Sequence, residues 1–380
     1  MNYFSSNFKL GILGGGQLGR MLLAETQKFD IHVSVLENNK NAPCAEIANT
    51  FVIGNLNNYD DVYYFGKTVD VLTIEIEHVN IEALLQLEKE GLKIYPQPKV
   101  LAIIKDKGLQ KDFYAQNSIP TANYQRFNTI EELKKSDLSY PFIWKSAKFG
   151  YDGNGVKKIN SVTDLNTLPN TACITEVLVD FKLELAVIVA RNNQGEIVSY
   201  PVVEMEFNSV SNQVEYVLCP ARISKEIEQK AQQIALKVAK AFQHVGLLAV
   251  ELFLTQNDEI LVNEVAPRPH NSGHFSIEAS ITNQFEQHLR AILNLPLGNT
   301  DNKLPSVMVN LVGAENYTGN VVYENMNEIL SFKGVTPHIY GKKQTKPNRK
   351  MGHITVVHQD LNKAKTLAEK AKNTLIVKSI

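Results

Sequence analysis

Two glutamates fix the chemistry open to this chain. Glu251 interrupts the apolar run Leu247–Leu254, Glu264 lies in the run from Glu259 to Ala266, and Gln256-Asn257-Asp258 separates them. Asn and Asp favour turns, so the two runs read as a hairpin. A two-residue turn at Asn257-Asp258 sets Glu251 opposite Glu264, with β-carbons about 5 Å apart. Carboxylates that close repel unless one is protonated or a cation lies between them. A hard divalent ion such as Mg²⁺ takes carboxylate oxygens together with substrate phosphate oxygens. The pair suggests a metal site shared with a nucleotide. The competing reading is a solvent-facing hairpin whose acids never meet.

Other residues join this picture. Lys145 ends the strand-like run Tyr140–Lys145. It is followed by the glycine-rich stretch Lys148–Val156 and a strand over Val156–Ile159. Strand, glycine loop, strand describes a hairpin lid whose backbone N–H groups fold over phosphates, or else a simple turn. Near the N-terminus, Gly14-Gly15-Gly16-Gln17-Leu18-Gly19 lies between the strand Lys9–Leu13 and a helix opening at Arg20. The strand Ile31–Leu36 then leads to Glu37. Read alone, that unit signals a dinucleotide-binding fold and an NAD-dependent oxidoreductase.

The elements that position these residues can be read in order. Strands at Lys9–Leu13, Ile31–Leu36, Thr50–Ile53, Val69–Ile76 and Leu92–Tyr95 alternate with helical patterns, predicting a parallel sheet covered on both faces. Pro96 and Pro98 mark a boundary. A single lysine-rich helical stretch spans roughly 99–117, and the periodicity predicts one helix over Ile277–Leu293 and one strand over Ile197–Glu206. Leu295-Pro296-Leu297-Gly298 marks a second boundary, before short strands, a basic run from Lys342 to Lys350 and a terminal helix, Leu361–Thr374.

Bulk properties narrow the class. The 380 residues are 44% hydrophobic and 21% charged, with net charge −1, which suits a globular protein and gives no nucleic-acid footprint. No apolar run reaches the roughly 18 residues of a membrane span. Cys44, Cys173 and Cys219 form no CxxC pair, which fits a reducing cytoplasm.

Strand-end lysine, glycine-rich lid and distant paired glutamates, in that order, resemble the ATP-grasp superfamily. The stretches Gly11–Arg20, Gly150–Gly155, Asn263–His274 and Lys350-Met351-Gly352-His353 are similar, more closely, to the N5-carboxyaminoimidazole ribonucleotide synthetase family, over essentially the whole chain. The resemblance implies a mixed α/β and α+β protein with an ATP-grasp fold. It would have an N-terminal Rossmann-like (pre-ATP-grasp) domain, 1–98, an ATP-grasp domain, 99–296, with a lid subdomain at roughly 120–180, and a small C-terminal β-rich domain, 297–380. The implied activity is a C–N ligase of purine synthesis. It carboxylates 5-aminoimidazole ribonucleotide with ATP, Mg²⁺ (or Mn²⁺) and bicarbonate through carboxyphosphate, as a homodimer that hands its product to a mutase.

By the same resemblance, Arg268, Lys145, Tyr151, Asp152 and His270 are catalytic. ATP is met by Lys107, Lys145, Gly150, Tyr151, Asp152, Gly153, Asn154, Gly155, Val156, Glu184, Asn263 and Glu264, and by a hinge of Glu176, Val177, Leu178 and Val179. Mg²⁺ is held by Glu251 and Glu264. The ribonucleotide is met by Gln17, Leu18, Glu75, Tyr151, Arg268 and Asn271, and its phosphate by Lys342, Arg349 and Lys350. The pattern departs at Asn154, where relatives carry Lys or Arg, with Lys148 or Lys157 as substitutes, and at Phe207, where some carry His. A formate-dependent glycinamide ribonucleotide transformylase would use the same ATP residues and is the nearest alternative.

Overall fold

The computed structural model describes residues 2–148 and 155–380. The chain opens on a doubly wound unit. Strands β1 (Lys9–Leu13), β2 (His32–Glu37), β3 (Thr50–Ile53), β4 (Val71–Ile74) and β5 (Lys93–Tyr95) pair in parallel in the order β3-β2-β1-β4-β5. Helices α1 (Gln17–Gln27), α2 (Tyr59–Gly66) and α3 (Ile81–Lys89) cross between them. β1, β2 and β4 are near-continuous buried apolar runs because helices cover both their faces, while β3 lies at the exposed edge.

The single helix expected over 99–117 is two, α4 (Pro98–Ile104) and α5 (Lys107–Gln116). Asp106 breaks it. Its carboxylate accepts from the N–H groups of Gly108 (2.9 Å) and Leu109 (3.1 Å), capping a new helix that begins at Lys107.

A separate sheet follows, ordered β6 (Tyr124–Phe127), β9 (Cys173–Val177), β7 (Phe142–Ser146) and β8 (Val156–Ile159), with a short helix α6 (Ile130–Lys134) packed on it around buried Trp144.

The largest sheet comprises β10 (Phe181–Arg191), β11 (Ile197–Ser199), β12 (Val203–Phe207), β13 (Val214–Cys219), β14 (Gly246–Thr255), β15 (Ile260–Ala266), β16 (Ser306–Val312), β18 (Val335–Ile339) and β20 (Lys350–Val357). Its order is β15-β14-β10-β12-β13-β16-β20-β18, with β11 on β10, so the sheet runs unbroken through the expected boundary near 297. The strand expected over 197–206 splits at Tyr200-Pro201, since proline has no N–H for the ladder.

Helix α7 (Lys225–Phe242) buries Ala231, Ala235, Val238 and Phe242 against one face of β10, β14 and β15. The expected helix over 277–293 is broken into α8 (Ser276–Ala279) and α9 (Gln284–Ile292), because Asn283 caps the second by accepting from Phe285 and Glu286 N–H. Phe285, Leu289 and Ile292 of α9 share a core with Leu10, Ile12 and Leu22 of the N-terminal unit. The C-terminal part adds α10 (Met326–Ser331), α11 (Leu361–Thr374) and a small sheet of β17 (Gly319–Glu324), β19 (Gln344–Thr345) and β21 (Ile376–Ser379). Among the described residues, no helix is long and apolar enough to cross a membrane.

Candidate active site

The β14–β15 hairpin departs from the expected geometry at two points. Its turn holds three residues, Gln256–Asp258, because Thr255 N–H donates to Glu259 C=O at 2.9 Å and Asp258 sits at φ 61°. The ladder then runs Leu254↔Ile260, Phe253↔Leu261 and Leu252↔Val262, shifts by one, and resumes at Val250↔Val265. Glu251 thus faces both Asn263 and Glu264 across a β-bulge. Val262 and Val265 enter the core against α7, and the two residues between them turn to the opposite face. The pairing of Glu251 with Glu264 survives the longer turn because the bulge offsets it. The same bulge lets two adjacent residues serve one site.

Three lysines meet this face. Lys107, first in α5, forms a 2.5 Å ion pair with Glu264, and its own N–H donates to Ala147 C=O just beyond β7. Lys145 donates to Asn263 Oδ1 at 3.0 Å and pairs with Glu176 Oε2 at 2.9 Å. Lys111, one turn beyond Lys107, pairs with Glu176 Oε1 at 3.0 Å. Glu184 on β10 lies diagonally from Glu251, since Ala186 is Glu251's cross-strand partner.

Burial pushes the Glu251 carboxyl well up, and neighbouring Glu264 and Glu184 push it further. Lys107 holds Glu264 low despite burial. Burial takes Glu184 up to about 7 and Lys111 down to about 8, the latter against the pull of Glu176.

A hard cation suits these donors. Two carboxylates share one face, only Glu264 has a lysine on it, and Glu251 resists ionising without a further positive charge. Among the described residues no cluster of three or more acidic, His or Cys side chains could hold an ion, so the remaining positions would fall to ligand and water oxygens.

The loop after β15 folds back over the face. Arg268 Nε pairs with Glu77 Oε1 at 2.7 Å, just past β4. His270 Nε2 lies 3.5 Å from Glu251 Oε1, and its Nδ1 sits 2.9 Å from Ser272 Oγ. Asn271 is tied to the large sheet. It exchanges two 2.9 Å hydrogen bonds with Asn310 of β16. His274 is buried, stacked on His353 with centroids 4.7 Å apart and bonded to Gln284.

In the N-terminal glycine loop, Leu18 N–H donates to Glu75 Oε1 (3.2 Å) and Gly15 N–H to Glu37 Oε2 (2.9 Å). A Cβ on Gly16 would stand 2.4 Å from Glu75 Oε1. The N–H groups of Gly15 and Leu18, which a dinucleotide-binding loop would offer to a pyrophosphate, are here taken by the chain's own carboxylates. Gln17 and Leu18 open α1 directly above Glu75. Burial raises the Glu75 carboxyl, while Arg268 and the Leu18 N–H pull it back.

The basic run is a structured loop. Lys342 Nζ donates to Lys350 C=O at 2.7 Å, Arg349 Nη1 to Gln344 C=O at 2.8 Å, and Lys343 pairs with Glu46 at 2.8 Å. Lys350 and Arg268 both lie within electrostatic reach of His274.

The expected hinge begins in the last two residues of β9 and runs past its end. Glu176 is buried, but Val177 and Leu178 are exposed apolar side chains, and Val179 is half-buried. Gly155 (φ 81°) accepts from Ser146 N–H at 2.8 Å, and Val156 starts β8. Gly150, Tyr151, Asp152, Gly153 and Asn154 lie outside the described residues. Of the two cations expected to substitute for Asn154, Lys148 sits 3.9 Å from Asp106, and Lys157 donates to Thr167 C=O at 3.3 Å. Phe207 packs at the edge of the core around Ala186 and Met205.

Sequence reasoning passed over Lys111, Glu77 and Arg20. Lys111 carried a signal, since it lies on the buried side of α5 with Gly108 and Tyr114. Arg20 lies against the basic loop, its Nη1 being 3.0 Å from where a Cβ on Gly341 would stand.

Three family models match the chain in order. They are a ribonucleotide synthetase preATP-grasp domain over 8–105, an ATP-grasp domain over 112–285 and a phosphoribosylaminoimidazole carboxylase C-terminal domain over 306–367. An N5-carboxyaminoimidazole ribonucleotide synthase of Bacillus subtilis is 38% identical over 92% of this chain and 91% of its own length. The chain spans 63% and 67% of the length of the phosphoribosylaminoimidazole carboxylases of Candida glabrata and Ogataea methanolica. The N5-carboxyaminoimidazole ribonucleotide synthetase structure from Thermotoga maritima is 42% identical, with TM-score 0.91 over 98% of this chain and all of its own. One from Aspergillus clavatus, described with ADP and 5-aminoimidazole ribonucleotide, is 35% identical, with TM-score 0.87 over 98% of this chain and 99% of its own. With its ATP-grasp fold, preATP-grasp unit and carboxylase-type C-terminal region, the chain belongs to the N5-carboxyaminoimidazole ribonucleotide synthetase family.

Proposed function

We propose that the chain carboxylates 5-aminoimidazole ribonucleotide at the expense of ATP. The observation that carries this reading is the reach of Arg268. It follows the strand bearing Asn263 and Glu264, yet pairs with Glu77 beside Glu75 and the α1 N-terminus. One guanidinium thus joins a phosphate-handling face to the end of the parallel sheet, where ligands of such folds bind.

Bicarbonate oxygen attacks the γ-phosphorus of ATP, and ADP leaves. The carbon of the resulting carboxyphosphate, or of the CO₂ it releases, is attacked by the exocyclic amine of the imidazole. That amine loses a proton, and phosphate departs. Phosphoryl transfer of this kind needs positioning and charge neutralisation more than covalent help. Lys145, fixed by Asn263 and Glu176, supplies a stationary positive charge, as does Lys107. Arg268 orients bicarbonate and carboxyphosphate, since its fork matches planar oxygens. Glu251 and Glu264 would hold Mg²⁺, which when bound offsets phosphate charge. His270 steadies Glu251 from the loop side. Glu184 faces the ribose hydroxyls, and Val177–Val179 face adenine. Gln17, Leu18 and Glu75 meet the ribonucleotide, and Lys342, Arg349 and Lys350 its phosphate. In this reading Gly150 to Val156 serve the ATP phosphates, and Tyr151 and Asp152 the imidazole.

The carbamate product is unstable and is passed on to a mutase. Two copies of the chain work as a dimer in the cytoplasm, a reducing compartment that suits its three free, buried cysteines. The domain limits of 98 and 296 belong to the same reading.

Phosphate release is the direct test. It should require ATP, bicarbonate and 5-aminoimidazole ribonucleotide together. Release driven by formate and glycinamide ribonucleotide instead would overturn the assignment.

A further inference from the structure

Lys111 is almost wholly buried on α5 and touches no open surface of the site. Its ammonium meets Glu176 Oε1 at 3.0 Å, on the carboxylate whose other oxygen holds Lys145 at 2.9 Å. It also donates to Thr121 Oγ1 at 2.6 Å, and that hydroxyl donates to Val262 C=O at 2.6 Å. Val262 is the last residue before the bulge, and its N–H donates to Pro120 C=O at 2.7 Å. One buried cation is therefore tied both to the partner of Lys145 and to the strand carrying Asn263, the second partner of Lys145.

We infer that Lys111 is a positioning residue for nucleotide: it takes up the Glu176 charge, so that Lys145 presents an uncancelled positive charge to the phosphates. The inference rests on the ATP-dependent reading above and names a residue that never touches the ligand. Two lysines and one carboxylate leave one net positive charge, whereas Lys145 and Glu176 alone would leave none. A lysine this deep is costly unless its charge is used, because burial penalises the ionised form. Burial does move Lys111 down, and Glu176 opposes the move.

The test is ADP binding by calorimetry to the full chain and its Lys111→Met, Lys111→Arg and Thr121→Val variants. Lys111→Met should bind ADP about tenfold more weakly, or about 1.4 kcal/mol. It should raise the KM for ATP and leave that for 5-aminoimidazole ribonucleotide unchanged. Lys111→Arg should restore most of the affinity, and Thr121→Val should lose a smaller part. A merely structural lysine would lower the melting temperature and leave the ADP affinity of the folded protein as it was, which overturns the inference. If Lys111→Met does not fold, Lys111→Gln removes the charge and keeps a donor, and unchanged ADP affinity there overturns it equally. A wild-type chain that binds ADP yet turns over none of the proposed substrates would remove the proposed function, and the ADP series would still decide the role of Lys111.

Discussion

Arg268 and Glu77 form a 2.7 Å ion pair that ties the loop after β15 to the end of β4. Both side chains are mostly withdrawn from solvent, so the pair holds the guanidinium in one orientation. A lysine in its place would keep the charge and lose the planar fork. Arg268→Lys should therefore lower kcat by about 10²- to 10³-fold, comparable to the loss of a transition-state donor. Glu77→Gln, which only loosens the arginine, should cost less. Steady-state rates decide this, and a lysine variant with wild-type kcat would remove Arg268 from the chemistry.

Glu251 and Glu264 set activity against stability. Alanine at either position should reduce phosphate release by about a hundredfold or more while circular dichroism stays unchanged. Chelation of divalent ions should do the same to the wild type. The stability effect has the opposite sign for Glu251. Its carboxyl is raised in the folded state, so the folded protein holds a proton that the unfolded chain gives up. Stability then falls as pH rises from the ordinary carboxylate value toward the raised one. Glu251→Gln should melt no lower than wild type at pH 8 without metal, and a clearly lower melting point would contradict the burial argument.

His288 makes acid sensitivity measurable. Its Nδ1 accepts from Leu247 N–H at 3.1 Å and its Nε2 bonds Thr73 Oγ1 at 3.0 Å, joining α9, β14 and β4. Burial, aided by His244, lowers it from 6.5 to about 3. Above pH 6.5 its contribution is fully present. As pH falls toward 3 the unfolded chain takes up a proton that the folded one refuses, and stability drops. The loss is about 1.4 kcal/mol per pH unit for each such group. His288→Gln should be less stable at pH 7, yet show a shallower decline between pH 6 and 4 in urea titrations. An unchanged acid slope would mean that other groups govern it.

The glycine loop should refuse nicotinamide cofactors. Titration with NADH should give no fluorescence change at concentrations that saturate ordinary dehydrogenases, because Glu75 and Glu37 occupy the loop's N–H groups. Gly16→Ala, which crowds Glu75 from 2.4 Å, should raise the KM for the ribonucleotide as well as lower the melting temperature. Saturable NADH binding would restore the dehydrogenase reading.

Much of this was legible because burial patterns are local. The parallel N-terminal strands announced themselves as apolar runs, and Glu251 stood out as the one acid in the apolar run of β14. What the sequence hid was set by single polar side chains acting on backbone. Asp106 and Asn283 each stop one helical pattern and start another, and periodicity is blind to that. The fate of Glu75 was hidden for a different reason: GxGxxG specifies a tight turn, and which anion fills it depends on a strand more than fifty residues away. Lys111 could be placed on the buried side of α5 by its spacing from Gly108 and Tyr114, but neither it nor Glu77, a second glutamate beside Glu75, carries a mark of its partner.

The hairpin's spare turn residue has a consequence for how this protein can vary. With three residues in the turn and an unbroken ladder, Asn263 would confront Glu251 and Glu264 would point away; with two, the reverse. Only the odd-length turn combined with the bulge delivers amide and carboxylate side by side. A residue gained or lost within the turn is absorbed there while Thr255 still meets Glu259, whereas one lost between Glu259 and Asn263 slides the strand and takes Lys145 or Lys107 from its counterpart.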